Sequence, residues 1–303
     1  MKRTARVSAK TNLYLDVLGA RPDGYHDLAT VLVPIPGLDD ELTLEPRSAP
    51  GLELSCTAPG IPGDARNLVW QAAERFAAAA GVAPAWRFHL VKRIPAAAGL
   101  GGGSSDAAAA LRLLQEACGK PLSREALLRL AAGLGADVPF FLDGVPALAE
   151  GVGERLTPVP CARPVPLLLV NPLFPTPTPW AYQAVDRTPR PAAPPIRDLL
   201  EALAAGDLRR LADATWNAFD FPLLAKFPLV GMLLESMRRH GCLCAHVSGS
   251  GSTLFGLCET VAAAEQAAAA LRREFGAGAL WLYAGAAGGS APPVAGESVP
   301  AGK

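Results

Sequence analysis

The stretch Pro95-Ala-Ala-Ala-Gly99-Leu-Gly101-Gly102-Gly103-Ser104-Ser105-Asp106-Ala107 lies between a predicted strand, Trp86–Ile94, and a predicted helix, Asp106–Ala117. Glycines and serines at the start of a helix make backbone N–H groups available to an anion, and the positive end of the helix dipole adds to the attraction. The segment therefore predicts a phosphate-binding loop. A flexible glycine turn with a serine N-cap is the alternative interpretation.

The spacing within this glycine loop excludes two common nucleotide-binding loops. A P-loop needs Lys followed by Ser or Thr after its last glycine, and no lysine lies between Lys92 and Lys120. A dinucleotide fingerprint needs a further glycine at the position that Asp106 occupies here. A second segment, Gly249-Ser-Gly251-Ser252, lacks the Gly-x-Ser-x-Gly order of a hydrolase nucleophile elbow.

Strand and helix patterns alternate on both sides of the loop. Strands are predicted at Val7–Val17, Thr30–Pro36, Glu41–Glu45, Leu167–Asn171, Ala245–Val247, Thr253–Cys258 and Ala279–Ala284. Helices are predicted at Leu68–Ala80, Ser123–Gly133 with Ser123 as N-cap, Ile196–Ala205, Asp207–Asn217, Leu223–His240 and Val261–Phe275, with a proline-rich loop at Pro172–Pro179.

This alternation predicts an α+β protein with a boundary near residue 160. We expect one domain over residues 1–158 and a second over 159–285. The remaining stretch, Ala286–Lys303, contains no aromatic residue, Leu or Ile, and it is predicted to be a disordered tail.

Composition and charge exclude several classes of protein. The 303 residues carry 28 basic and 28 acidic side chains, so no basic surface for nucleic acid or an anionic membrane is expected. Prolines and glycines break the two long uncharged stretches, Pro164–Val185 and Phe275–Gly296, and neither predicts a membrane span. The N-terminus predicts no secretory signal, and the sparse cysteines favour reduced thiols in the cytoplasm.

The glycine loop resembles the central ATP-binding motif of the GHMP small-molecule kinases. Two flanking motifs of that family occur in the same order, Ala9-Lys10-Thr-Asn12-Leu-Tyr-Leu and Val247-Ser-Gly249-Ser-Gly251-Ser-Thr. On these three ordered matches the chain is identified as a member of the family. The resemblance implies a two-domain fold, with an N-terminal domain like ribosomal protein S5 and a ferredoxin-like α+β C-terminal domain. It also implies ATP-dependent phosphorylation of an alcohol group on a small molecule.

The resemblance implies roles for individual residues. Lys10 and Asp137 match the family's catalytic pair: Asp137 accepts or orients the hydroxyl proton, and Lys10 stabilises charge on the transferring group. Without the resemblance, Asp137 would be interpreted as a helix-terminal or turn aspartate and Lys10 as a solvated side chain. Magnesium is expected with ATP, and Ser105 is a candidate ligand for it. The ATP-binding residues are expected to be Pro95, Ala96, Ala97, Ala98, Gly99, Leu100, Gly101, Gly102, Gly103, Ser104 and Ser105.

Further segments are similar to one member of the family whose substrate is a cytidine diphosphate derivative. By that resemblance Tyr25 stacks on cytosine, His26 hydrogen-bonds its polar edge, and Tyr182 forms the second face of the sandwich. Thr178 is expected at the substrate's sugar-alcohol or phosphate groups, and Asn12 as another substrate ligand. The segments are Arg21-Pro-Asp-Gly24-Tyr25-His26, Leu134-Gly-Ala-Asp137-Val-Pro139-Phe-Phe, Ala149-Glu-Gly-Val-Gly153-Glu and Pro177-Thr178-Pro179.

Two alternatives remain at this point. Another GHMP kinase, acting on mevalonate, homoserine or a sugar, is disfavoured because Gly24-Tyr25-His26 implies a pocket for a base. A catalytically silent nucleotide-binding member of the fold is disfavoured because Lys10 and Asp137 are both present. On local sequence alone, Tyr25 and His26 would be interpreted as ordinary loop residues, because they follow a turn-forming Asp23-Gly24.

Overall fold

The computed structural model describes residues 1–288 of the chain. In chain order, its first half contains β1 (Arg3–Ala20), β2 (His26–Pro46), β3 (Gly51–Cys56), α1 (Leu68–Ala80), β4 (Ala85–Val91), α2 (Gly102–Ala117), α3 (Arg124–Leu134), α4 (Val138–Asp143), β5 (Ala147–Gly151) and β6 (Arg155–Pro158). The second half contains β7 (Val165–Asn171), α5 (Thr178–Val185), α6 (Ile196–Ala205), α7 (Leu208–Ala214), β8 (Trp216–Asn217), α8 (Asp220–Lys226), α9 (Pro228–Arg239), β9 (Cys244–Val247), β10 (Leu254–Leu257), α10 (Val261–Phe275) and β11 (Trp281–Ala287).

Two sheets organise these elements. The first has the order β3-β4-β2-β1-β8, with β5 and β6 attached to β2. The second is antiparallel, with the order β11-β7-β10-β9. In chain order its strands occupy the fourth, first, third and second places, which is the arrangement of a ferredoxin-like β-α-β-β-α-β unit. The predicted α+β class is confirmed.

Local sequence explains why α1 and α2 form where they do. The Asn67 side chain accepts a hydrogen bond from Val69 N, and Gly81 ends α1 in the left-handed conformation at φ 65°. In α2 the run Ala107–Ala110 is fully buried, packed in one core with α1 and the first sheet. Small side chains allow α2 to be buried on several sides, so the glycine loop that precedes it is held on a rigid element.

Several predicted boundaries were wrong for identifiable reasons. Thr30–Pro36 and Glu41–Glu45 belong to one strand, because β2 passes through a bulge that pairs Ser8 with Asp39 and Ala9 with Ile35. The predicted helix Leu223–His240 is two helices, since Pro228 begins a new one at a position where its missing N–H costs nothing. Helix α5 starts inside the predicted proline-rich loop for the same reason, with Pro179 in its first turn.

The predicted helix Asp207–Asn217 was also wrong at its end. It stops at Ala214, and Trp216 and Asn217 then pair with Tyr14 and Leu15 as a short parallel strand. Helix α2 begins at Gly102 rather than at Asp106. Pattern analysis missed β3, α4, β5 and β6, which are short.

The start of the predicted tail needs correction. Strand β11 runs to Ala287, so residues 286 and 287 lie in the second sheet. Gly288 N donates to Pro34 O at 2.9 Å and ties this end to β2. Residues 289–303, the rest of the predicted tail, lie outside the described residues. No helix within residues 1–288 has the length and apolar character needed to cross a bilayer.

A buried polar cluster anchors the turn between β9 and β10. Asn217 donates to the carbonyl oxygens of Val247 (2.6 Å) and Gly249 (2.9 Å). Asp220 accepts from Val247 N at 2.8 Å and from His246 Nδ1 at 2.6 Å. Burial alone would lower the pKa of His246, but the charge and hydrogen bond of Asp220 outweigh it and raise that pKa to about 9. A charged pair therefore holds the strand that leads into residues 248–252.

We predict that His246→Asn, which keeps a donor near the Nδ1 position, is less stable than the wild type at acid and neutral pH. The difference in stability should shrink at alkaline pH. Because the folded-state pKa of about 9 exceeds the ordinary 6.5, the charged imidazole stabilises the fold fully below pH 6.5. This contribution is lost as the pH rises through about 9. The pKa difference corresponds to about 3 kcal/mol. Urea unfolding of both proteins at about pH 6 and about pH 10 measures it. A stability gap that does not narrow with pH would contradict the charged pair.

Candidate active site

A cavity of about 810 Å³ lies where the three sequence motifs meet. Its walls come from both halves of the chain, with β1, β2, the glycine loop and Asp137 on one side and α5 and the 249–251 turn on the other. The predicted site residues that line it are Lys10, Asn12, Tyr25, His26, Ala97, Gly99, Gly101, Ser104, Asp137, Thr178 and Tyr182. The structure thus gathers the candidate catalytic and substrate residues around one space.

Hydrogen bonds fix the glycine loop between the first motif, residues 9–15, and the third motif, residues 247–253. Lys10 N donates to Leu100 O at 2.9 Å, so β1 holds the loop from one side. Ser248 Oγ donates to Gly99 O at 3.2 Å and lies 3.0 Å from Thr11 Oγ1. The three motifs are therefore one hydrogen-bonded unit, although the chain separates them widely.

The conformation of the loop requires glycine at two positions. Gly101 is the N-cap of α2 with φ 73°, and a Cβ there would lie 2.7 Å from Phe141 Cζ and 3.0 Å from Lys10 Cγ. A Cβ on Gly99 would lie 2.2 Å from Ser248 O. The first helical hydrogen bond runs from Ser105 N to Gly101 O. The backbone N–H groups of residues 102–104 accordingly have no carbonyl partner within the helix, as an anion site needs.

The side chains of the loop divide into two groups. Ala98 and Leu100 are buried in the core shared by both halves and do not line the cavity. Ser105 is fully buried and donates its hydroxyl to Gly102 O at 2.9 Å, so its suggested role as a magnesium ligand has no support in this geometry. Within residues 1–288, no group of three or more His, Cys, Asp or Glu side chains is placed to hold a metal ion.

Lys10 and Asp137 form an ion pair on the cavity wall. Lys10 Nζ lies 3.3 Å from Asp137 Oδ2, and the lysine side chain is 5% exposed while the aspartate is 37% exposed. Lys10 Nζ also donates to Asn12 Oδ1 at 2.9 Å. The ammonium group is thus buried with two partners, and the carboxylate remains accessible from the cavity.

A chain of hydrogen bonds sets the orientation of Asn12. Thr30 Oγ1 donates to Tyr14 O at 2.6 Å, which leaves its oxygen as the acceptor for Asn12 Nδ2 at 2.8 Å. The amide oxygen of Asn12 must then face Lys10 Nζ, as observed. Thr30 was not among the predicted site residues, because an isolated threonine in a strand carries no motif.

The aromatic residues of the predicted base pocket, called the aromatic end below, line the same cavity. Tyr25 is 64% exposed. The His26 ring packs against the Tyr182 ring with centroids 4.9 Å apart, and Phe219 packs on Tyr182 edge-on at 5.0 Å. Burial, and after it the negative charge of Asp137, raise the pKa of Tyr182 to about 12, so its phenol stays protonated. The aromatic end and the ion pair are therefore close enough to interact electrostatically.

Further polar groups at the cavity escaped sequence reasoning. Ser250, which was not predicted, lines the cavity and lies 3.2 Å from the exposed, predicted residue Thr178, through their hydroxyl oxygens. Thr176 is 5% exposed, lines the cavity, and its hydroxyl has no hydrogen-bond partner among the described residues. Behind the glycine loop, the Lys92 ammonium binds the carboxylates of Asp40 and Asp106, and Asp106 is the fifth residue of α2. No sequence spacing marks any of these contacts.

The chain belongs to the GHMP kinase family. The family models "GHMP kinases N terminal domain" and "GHMP kinases C terminal" match residues 67–145 and 199–277. The resemblance read from the three motifs is thereby confirmed, and with it the fold class.

Among its relatives are proteins that carry the name of one member. The 4-diphosphocytidyl-2-C-methyl-D-erythritol kinase of Synechococcus sp. (strain JA-2-3B'a(2-13)) is 40% identical over 284 residues, which are 90% of this chain and 91% of that protein. A crystal structure of 4-(cytidine 5'-diphospho)-2C-methyl-D-erythritol kinase is 41% identical, with a TM-score of 0.79 over 95% of this chain and 100% of that chain. Homoserine kinase from Cytophaga hutchinsonii, 18% identical, shares the fold with a TM-score of 0.74 over 96% of each chain.

We predict that Gly101→Ala destabilises the protein and that Gly103→Ala, in the same loop, does so far less. The first variant combines a positive φ with two close contacts, and strain of this kind costs about 1–3 kcal/mol. At Gly103 a Cβ would meet only Leu68 Cδ1, at 3.6 Å, inside a helix where alanine is favoured. Urea unfolding of the two variants tests this. Equal losses would show that the loop has another conformation.

Proposed function

We propose that this protein uses ATP to phosphorylate the 2-hydroxyl of 4-diphosphocytidyl-2-C-methyl-D-erythritol, giving the 2-phosphate and ADP. This reaction belongs to the non-mevalonate pathway of isoprenoid precursor synthesis. The observation that carries the proposal is the Lys10–Asp137 ion pair, 3.3 Å long, on the wall of the cavity that the glycine loop also lines. The names of the relatives at 40% and 41% identity support the choice of substrate.

The nucleotide phosphates are proposed to bind at the start of α2. The N–H groups of residues 102–104 and the helix dipole attract the negative phosphates there, and Gly99 and Gly101 let the backbone approach them. Magnesium, bound to ATP, would neutralise phosphate charge. Since the described residues provide no cluster of metal ligands, we assign it no protein ligand.

Asp137 is proposed to take the proton of the acceptor hydroxyl as the hydroxyl oxygen bonds to the γ-phosphorus and the bond from that phosphorus to the bridging oxygen of ADP breaks. One carboxylate oxygen is paired with Lys10, and partial exposure leaves the group open to the substrate. Lys10 has three N–H donors and contacts two partners, Asn12 and Asp137, so a third donor is available for a phosphoryl oxygen. Its buried charge is held in place before substrate arrives, which is how preorganised groups stabilise a transition state.

The substrate's base is proposed to bind at the aromatic end. Tyr25 and Tyr182 would provide the two stacking faces, with His26 at the polar edge of cytosine. Thr178 would contact the erythritol or phosphate groups, and Asn12 would contact the substrate near the ion pair. Exposure of Tyr25 supports this assignment, because an aromatic ring of 64% exposure at a cavity is free to receive a partner.

An ADP-release assay with three substrates tests the proposal as a whole. We expect turnover with the cytidyl substrate and far less with mevalonate or homoserine. Preference for one of the latter would make the protein another kind of GHMP kinase. ATP binding without ADP release from any substrate would instead favour a catalytically silent member of the family.

We predict that Asp137→Asn lowers kcat by about 10²–10⁴-fold, because the amide keeps the shape of the carboxylate but cannot accept the proton. ATP affinity and folding should be retained. Asp143→Asn is the control, since Asp143 is a surface residue paired with Arg124 at the end of α4. A kcat for Asp137→Asn within about threefold of the wild type would contradict the assigned role.

We predict that Tyr25→Ala raises the Kd for the cytidyl substrate by roughly five- to two-hundred-fold, because loss of a stacking face costs about 1–3 kcal/mol. The Kd for ATP should not change, and Tyr25→Phe, which keeps the ring, should lose much less. Calorimetric titration with each ligand measures both constants. Equal losses for the two ligands would mean that Tyr25 supports the fold or the nucleotide site.

A further inference from the structure

We propose that Asp186 is a positioning residue that fixes the tautomer of His26 and thereby makes the pocket select cytosine over uracil. The inference rests on the proposed function, since it takes His26 to meet the base of the substrate. It concerns a residue at the end of α5, outside every motif that the sequence displays.

The contact between these two side chains defines where the imidazole carries its proton. His26 Nε2 lies 3.0 Å from both Oδ1 and Oδ2 of Asp186. A carboxylate only accepts hydrogen bonds, so Nε2 must be the protonated nitrogen. The His26 side chain is 10% exposed and Asp186 is 42% exposed, which places the carboxylate on the solvent side of a largely buried ring.

Protonation at Nε2 leaves the lone pair of Nδ1 as a hydrogen-bond acceptor in the neutral ring. Cytosine offers one donor on its polar edge, the 4-amino group, whereas uracil has a carbonyl oxygen at that position. An accepting Nδ1 therefore pairs with the amino group of cytosine. Facing uracil, it would meet a second acceptor and leave both groups without a partner. Selection of the base follows from the tautomer.

The fold holds the ring on two sides. Tyr182 packs on the face of the imidazole at 4.9 Å, and Asp186 bonds it in the plane of the ring. Thr178, Tyr182 and Asp186 are spaced by four residues, so they follow one side of α5. This helix belongs to the second half of the chain, while His26 begins β2 in the first. The orientation of the base-reading side chain thus depends on contact between the halves.

An ordinary surface ion pair is the competing explanation, and such pairs contribute about 0–1 kcal/mol. A pair of that kind would change stability, or would change turnover of cytidine and uridine substrates equally. It would not change the ratio between them. The ratio and the tautomer are therefore the two quantities to measure.

The experiment compares kcat/KM for the cytidyl substrate and for its uridine analogue. We expect Asp186→Ala to reduce the cytidine-to-uridine ratio by at least about fivefold, since a base-edge hydrogen bond typically provides this much discrimination or more. Asp186→Asn, whose amide oxygen still accepts from Nε2, should retain most of the preference. Asp213→Ala is the charge-matched control, because this exposed aspartate of α7 has no side-chain partner among the described residues.

A second measurement does not depend on turnover. ¹⁵N NMR of the wild-type protein, with the His26 signals identified by their absence from His26→Gln, should show a protonated Nε2 and an unprotonated Nδ1. A protonated Nδ1, or an unchanged substrate ratio in a folded Asp186→Ala, would overturn this proposal and leave the proposed function standing. If wild-type protein does not phosphorylate the cytidyl substrate, the proposed function fails and this proposal fails with it.

Discussion

The buried ammonium group of Lys10 is the constraint on which the rest of the site depends. A charge removed from water must be paired and hydrogen-bonded, or the fold loses several kcal/mol. Asp137 and Asn12 satisfy this requirement, and Thr30 fixes the direction of the Asn12 amide. The backbone N–H of the same lysine holds Leu100 in the glycine loop. One residue of β1 therefore holds both the loop and the aspartate before α4, and it is linked through Asn12 to Thr30 on β2.

The alternation of β1 explains how one strand serves both the cavity and the core. Lys10 and Asn12 face the cavity, whereas Ala9 and Leu13 lie in a core that also contains Leu167 and Phe255 of the second sheet. This core joins the two halves of the chain. The short pairing of β8 with Tyr14 and Leu15, and the bonds of Asn217 to the 247–249 backbone, extend the same connection to the third motif. Both the packing and the polar contacts therefore hold the three motifs in the same arrangement.

Much of the fold was predictable where the signals were local. Helices α1, α6 and α10 have their predicted bounds, because caps such as Asn67 and Gly206 lie at their ends. Two errors came from prolines that begin helices, and another involves a partner distant in sequence: Trp216 joins a strand only because β1 is beside it. The site followed the same rule. The predicted catalytic and substrate residues line one cavity, as do four of the eleven predicted loop residues, but Thr176 and Asp186 have neighbours that only the folded chain provides.

The cavity has two parts, the wall formed by the ion pair and the glycine loop and the aromatic end, and the two parts differ in how easily their residues can be substituted. A homoserine kinase at 18% identity shares the architecture, so the architecture alone does not choose a substrate. In this chain the ion pair and the glycine loop are tied to the core by backbone hydrogen bonds and buried side chains. The aromatic end instead depends on exposed positions, Tyr25 in the β1–β2 turn and Asp186 at the end of α5. Exposed positions accept substitution at small cost to stability, whereas buried polar networks do not. Changes of substrate are therefore expected to arise at the turn and at α5, with the phosphate-binding wall unchanged.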